Sequence, residues 1–132
     1  MSDVNVLATK REAKIAEEAV EKAQQIPEPA GYRILCMVPK IEDTYKSGLA
    51  KADETMKAEE ITTVVLYVAK LGPLAYADKD RFPNGPWCKE GDFVLVRPHS
   101  GTRVVIHGTE WRIINDDTVE AVVQDPRGIR RA

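Results

Sequence analysis

The residue types that most often carry chemistry are few in this sequence, and the two cysteines illustrate this. Cys36 and Cys88 lie too far apart for a local zinc motif, and the chain has only two histidines to complete a ligand set. The composition therefore predicts no metal site. Two reduced thiols are the expected state in a cytosolic chain, and a disulfide between them stays open as an alternative.

The remaining candidates for catalysis lack the spacing that catalysis needs. His99 and His107 lie eight positions apart across a turn, which indicates surface histidines rather than ligands. Asp116 and Asp117 are adjacent, and neighbouring acids at a strand end usually point apart into water as turn residues. No glycines have a phosphate-binding spacing, and no serine lies in G-x-S-x-G. We therefore expect no catalytic residue, no cofactor and no enzymatic activity. The serines in question are Ser2, Ser47 and Ser100.

Trp87 and Trp111 have rings that could stack on nucleic-acid bases, but the charge balance argues against that use. Nineteen basic residues stand against 21 acidic ones, giving a net charge of −2. Nucleic-acid binders usually carry a basic excess. No apolar run approaches the roughly 20 residues that span a bilayer, and the N-terminus lacks a signal peptide's pattern. We expect neither nucleic acid nor membrane as a partner, and a cytoplasmic location.

The elements that must position any site are mostly β-strands. The chain has 132 residues, enough for one domain. From Gly31 onward, short runs rich in strand formers alternate with turn signals about every ten residues. This pattern predicts an antiparallel barrel or sandwich. The predicted strands are Tyr32–Val38, 61–69, Phe93–Arg97, Arg103–His107, Glu110–Asn115 and Val119–Gln124.

A helix is predicted before the strands, over residues 7–25, because alanine, glutamate, lysine and glutamine dominate there. Pro27 and Pro29 end it. Its apolar stripe is thin and alanine-rich, so the helix is weakly held on its own. It is expected on the domain surface or on a neighbouring subunit, and a solvated extension that frays is the alternative. The stripe consists of Leu7, Ile15, Ala19, Ala23 and Ile26.

Two irregular segments interrupt the strand pattern. The first, 40–60, carries many charges and few large apolar residues, which is typical of a functional loop. A short helix in its second half is the alternative. The second, Pro73–Pro86, has prolines and Asn84-Gly85 typical of a surface excursion. The expected division is a helical extension at 1–30, a β-barrel at 31–124 and a short basic tail at 125–132.

Several strands together resemble the chaperonin-10 family, the co-chaperonins that cap GroEL-type chaperonins. Lys89–Val96, KEGDFVLV, is similar to the family's K-x-G-D-x-V segment, in which Gly91 provides a tight turn before a core strand. The resemblance implies an all-β, GroES-like, partly open Greek-key barrel, here with an added N-terminal helix. The other segments that carry it are 31–36, 64–72, 101–106, 110–114 and 117–123.

The resemblance assigns a function to the first irregular segment. In this family it is a mobile loop that binds the chaperonin through an apolar tip after a glycine. The matching residues here are Ser47, Gly48, Leu49 and Ala50, followed by Lys51 where the family has another aliphatic residue. Each large aliphatic side chain that is missing removes about 1.5–3 kcal/mol of burial. This loop is therefore expected to bind more weakly than the family's usual one.

The resemblance also implies a ring of identical subunits joined head to tail. The first and last strands would pair between neighbours, which places Tyr32, Ile34, Val119 and Val122 at the interface. The ring would close the folding chamber of a chaperonin, which itself binds the ATP. The alternative is a structural or interaction protein of the same fold, such as a bacteriophage capsid-decorating or virion protein with capsid proteins as partners.

Overall fold

A computed structural model describes residues 3–40 and 63–132, with side chains from Lys10 onward. Helix α1 spans Asp3–Gln24, so the predicted helix is confirmed and begins earlier than residue 7. Its last turn tightens: the N–H of Gln25 donates to Lys22 O at 3.1 Å and that of Ile26 to Ala23 O at 3.3 Å. Proline cannot continue the hydrogen-bonding pattern, so the helix stops before Pro27.

Six strands follow, and each overlaps a strand predicted from the sequence. Their residues alternate between two faces of one sheet, as β-branched and aromatic runs bounded by glycine turns should. The hairpin between the fourth and fifth strands turns through His107 and Gly108, both with positive φ. The strands are β1 (Arg33–Met37), β2 (Val65–Leu71), β3 (Phe93–Leu95), β4 (Thr102–Ile106), β5 (Thr109–Asn115) and β6 (Ala121–Val123).

All neighbouring strands pair antiparallel in a single sheet of order β4-β5-β1-β2-β3-β6. Thus β1 is central, and its register runs from Arg33 opposite Asn115 to Met37 opposite Trp111. A 3₁₀ turn, Asp116–Thr118, carries the chain from β5 towards β6. Among the described strands, β4 and β6 do not pair with each other, so the sheet stays open there. The predicted all-β fold with an added helix is confirmed.

The main core cluster lies on one face of the sheet and includes residues from outside the strands, and Leu35 and Val65 are buried outside this cluster. Tyr76 and Phe82 are both buried, with ring centroids 4.9 Å apart in an edge-to-face arrangement. Both belong to Pro73–Pro86, so the prediction that this segment is only a surface excursion is wrong for these two side chains. Their aromatic area fills the core that the short strands leave open. The rest of the cluster is Ile34, Cys36, Val38, Leu66, Val68, Cys88, Val94, Val96, Ile114 and Val119.

The end of β2 is fixed tightly against the start of β1. The N–H of Gly72 donates to Arg33 O at 2.8 Å, and the N–H of Leu74 donates to Gly31 O at 2.9 Å. A Cβ atom at Gly72 would lie only 2.4 Å from Gly31 O. Glycine is therefore required there by the close approach of two backbones. This contact sets the position of Tyr32, which lies between Gly31 and Arg33.

Candidate functional site

The predicted contact residues of the first irregular segment, Ser47, Gly48, Leu49 and Ala50, lie outside the described residues. The flanking strands are well anchored. The N–H of Val38 donates to Glu110 O at 3.0 Å, and the N–H of Val96 donates to Val64 O at 2.9 Å. Since β1 and β2 are antiparallel neighbours, the chain leaves and re-enters the sheet at one end.

A charged cluster lies beside the strand end at Val38, and the sequence reasoning did not identify it. Arg103 Nε donates to Glu110 Oε1 at 2.5 Å, and the Arg112 guanidinium lies 3.9 Å from Glu110 Oε2. Arg112 is fully buried, and this burial lowers the pKa of its guanidinium, while the Glu110 carboxylate opposes that shift. One signal for this cluster was present in the sequence, the alternation of charged residues along the strands. Glu110 and Arg112 lie two positions apart on β5, and Arg103 on β4 lies directly opposite Arg112. The Glu110 carboxylate thus lies between the guanidinium groups of Arg103 and Arg112 at this end of the sheet.

The structure separates the four predicted interface residues into two exposed and two buried ones. Tyr32 and Val122 are 46% and 47% exposed, respectively. Ile34 and Val119 belong to the core of their own chain. Both edges of β1 are already hydrogen-bonded, to β2 and β5, so this strand has no free edge within the described sheet. The interface at these four residues stays a prediction.

The free edges among the described strands belong to β4 and β6. Strand β6 pairs only with β3, and β4 pairs only with β5. An edge strand presents backbone N–H and C=O groups that a strand from another chain can bind. Val122 on β6 and Val105 on β4 add apolar side chains to these edges, and Val105 is 70% exposed.

Tyr32 is tied to the turn that leads into β6. Its carbonyl oxygen accepts the N–H of Asp116 at 3.1 Å. The Asp116 carboxylate is buried, and its Oδ2 accepts the N–H of Tyr76, also at 3.1 Å. One aspartate thus links the start of β1, the core aromatic residues and the approach to β6. Asp116 therefore has a structural role. It does not form a catalytic pair with its neighbour Asp117.

The two cysteines are both free and buried. Burial raises the pKa of the Cys36 thiol to about 12, and burial also raises the pKa of Cys88. The Cys88 sulfur lies 3.4 Å from the Tyr76 hydroxyl, whose pKa is raised as well, mainly by burial. Thiols with raised pKa values stay protonated at neutral pH and are poor nucleophiles.

Two further searches of the described residues give no site. No three His, Cys, Asp or Glu side chains within residues 10–40 and 63–132 are grouped to hold a metal ion. Within the described ranges, no helix has the length and apolar character needed to cross a bilayer.

A row of half-buried apolar residues crosses the face of the sheet opposite the core. Each member is the direct cross-strand partner of the next one, so the row runs across all six strands. Tyr67 and Phe93 pack edge to face within it, with centroids 5.4 Å apart. The row packs on the outer side of the sheet, and Trp111 is half-buried within it. Its members are Val104, Trp111, Met37, Tyr67, Phe93 and Val123.

Comparison with known proteins finds relatives of this sequence in one family. No protein-family model matches the chain. However, the chain is 32% identical over 97 residues to the co-chaperonin GroES of Caldicellulosiruptor saccharolyticus, covering 74% of this chain and 96% of that protein. The chain belongs to the GroES co-chaperonin family. The GroES of Caldicellulosiruptor bescii matches to the same extent, and that of Corynebacterium jeikeium is 30% identical over 73% of this chain and 92% of its own length.

Membership of the GroES family fits the β-sheet described above and supports a co-chaperonin function. It also favours a protein without enzymatic activity of its own. Since the relatives are matched almost completely, about a quarter of this chain has no counterpart in them. This chain is therefore a diverged GroES relative with added residues.

Proposed function

We propose that this protein assembles into a ring and caps a GroEL-type chaperonin in the cytoplasm, assisting the folding of other proteins. The observation that carries this proposal is the match to GroES over 96% of the relative's length. The chaperonin binds the ATP, and its turnover releases the cap. Neither a membrane nor nucleic acid takes part.

The ring forms head to tail, and β6 provides the pairing edge. Three features support this assignment: β6 has one free edge, Val122 is exposed on it, and Tyr32 is fixed close to its approach. A heterologous contact of this kind closes into a ring when the rotation between subunits allows it. Ile34 and Val119, also predicted at the interface, act from the core by holding these exposed residues in place.

A matched pair of variants tests the ring. Val122→Lys puts a charge on the proposed pairing edge, and Val105→Lys puts the same charge on the exposed edge of β4. Native mass spectrometry at micromolar concentrations should show a ring for the wild type and for Val105→Lys, and smaller species for Val122→Lys. A wild type that is only monomeric would refute the ring.

The contact with the chaperonin is proposed at Ser47, Gly48, Leu49 and Ala50. Leu49 is the only large aliphatic residue between Glu42 and Met56, so it is the natural anchor. Truncating a buried anchor to alanine often costs about 2 kcal/mol, which is more than tenfold in affinity for each subunit. A ring multiplies this loss because its subunits bind together.

The experiment is a pull-down with a GroEL-type chaperonin, with and without ATP. Leu49→Ala should abolish binding, and Lys51→Leu should strengthen it by restoring an apolar tip. Lys57→Leu, the same change outside the tip, is the control and should bind like the wild type. If the wild type never binds, the co-chaperonin proposal fails, and a structural role for the same fold becomes the hypothesis to pursue.

A further inference from the structure

Helix α1 is long and uncovered. It has 22 residues, which corresponds to about 33 Å at 1.5 Å per residue. Every described side chain in it, from Lys10 to Gln24, is exposed, including Ile15 and Val20. Helical stability in proteins comes mostly from packing an apolar face, because isolated helices are marginal in water. Within the described residues, nothing in the same chain covers the sides of this helix.

The end of α1 is fixed to the sheet although its sides are not. The His107 ring contacts the Gln25 side chain, and Lys70 pairs with Glu28. Pro29 is buried. The connection between α1 and β1 is thus held against the sheet while the helix extends away from it.

The small residues of α1 follow a heptad spacing. Ala13, Ala16, Val20 and Ala23 are separated by three, four and three positions. This is the spacing of the a and d positions along the seam of a coiled coil. In the sequence, Val6 and Thr9 continue the same spacing towards the N-terminus. Alanine at most seam positions lets two helix axes approach closely.

The charges beside this seam decide the direction of pairing. In a parallel pair, Glu12 of one helix would face Glu17 of the partner subunit, and the two like charges would repel. In an antiparallel pair, Ala13 faces Ala16 of the partner subunit, and Lys10 lies beside Glu17 of the partner subunit. The two-fold symmetry makes that attractive contact twice.

From these features we propose that α1 pairs antiparallel with α1 of a second copy of this chain, through the seam of Ala13, Ala16, Val20 and Ala23. The contact is isologous and differs from the head-to-tail contact of the ring. It requires neither the ring nor chaperonin binding. One pair buries little area, so it is weak alone, and several pairs between two rings would add through multivalency.

Charge reversal tests both the contact and its direction. Glu17→Lys and Lys10→Glu should each weaken self-association roughly tenfold at low salt, because two attractive pairs become two repulsive ones. The double variant should restore it. Sedimentation velocity of the full chain measures the association, with circular dichroism confirming that α1 stays helical. Lys14→Glu and Glu18→Lys make the same changes away from the seam and should have no effect.

The Val122→Lys background separates this contact from the ring. There, a single helix pair is weak, so the pairing predicts a concentration-dependent dimer at the highest protein concentrations, which Glu17→Lys converts to a monomer, whether or not the wild type forms rings. A Glu17→Lys variant that associates more strongly would indicate parallel helices and overturn the proposal. Charge reversal without any effect would overturn it too, since α1 would then lie elsewhere.

Cross-linking gives an independent readout. Ala13→Cys and Ala16→Cys are mixed under oxidised glutathione, where the native cysteines are buried and do not compete. Antiparallel pairing should give mainly the mixed disulfide, with one copy of each variant. Disulfides of each variant with itself would mean a parallel pair, and no cross-linked dimer would mean no seam contact.

Discussion

Replacing Gly72 with alanine should destabilise the sheet at the entry to β1. The new Cβ would lie 2.4 Å from Gly31 O and 2.7 Å from Arg33 O, both backbone atoms. The shortest ordinary distance between a carbon and an oxygen atom in contact is about 3.3 Å, so the two backbones must separate. Overpacking of this kind costs about 1–3 kcal/mol, and two backbone hydrogen bonds add about 1 kcal/mol each. We therefore expect a loss of about 3–5 kcal/mol in the free energy of unfolding.

Urea unfolding at a fixed protomer concentration, followed by tryptophan fluorescence, measures this loss. The control is Gly108→Ala: Gly108 has φ +77°, but a Cβ there meets open space. Its cost is the left-handed conformation alone, about 1–2 kcal/mol. If Gly72→Ala unfolds at the same urea concentration as Gly108→Ala, or a higher one, the steric reasoning is refuted.

Three further predictions concern the interior. Burial raises the pKa of Cys36 from 9.0 to about 12, so the folded state keeps a proton that the unfolded state releases, and the free energy of unfolding should fall between these pH values. In Cys36→Ala, the free energy of unfolding should fall less over this pH range, as measured by urea denaturation at a series of pH values. Glu110→Gln removes the carboxylate that pairs with Arg103 and Arg112 and should lower the free energy of unfolding by about 3 kcal/mol. Glu120→Gln, in the exposed pair with Arg97, should lower it by less than about 1 kcal/mol. Phe82→Ala should cost about 3–5 kcal/mol, measured by thermal unfolding, and the half-exposed Trp87→Ala clearly less.

The strands and the helix were predictable because they depend on local signals. Runs such as Glu110–Asn115 follow β-propensity, and glycine turns bound them. The position of β1 in the centre of the sheet was not predictable in this way. It depends on pairing between Arg33 and Asn115, and no local pattern reports which distant strand lies alongside. For the same reason, the sequence did not show that β1 has no free edge within the sheet.

Side chains in irregular segments were equally hard to assign. Prolines and Asn84-Gly85 correctly indicated a non-regular path for Pro73–Pro86, but turn signals describe the backbone and not the aromatic side chains it carries. The burial of Tyr76 and Phe82 depends on the space left by six short strands. The contact residues at 47–50 stay a prediction, because they lie outside the described part of the chain.

The central place of β1 also determines when the protein can fold during its synthesis. Strand β1 is synthesised before its partner β5, which ends at Asn115, 82 positions after Arg33. Until β5 emerges, one edge of β1 has no partner, and such open edges favour aggregation. The central pairing of β1 with β5 therefore forms only after residues up to Asn115 have been synthesised.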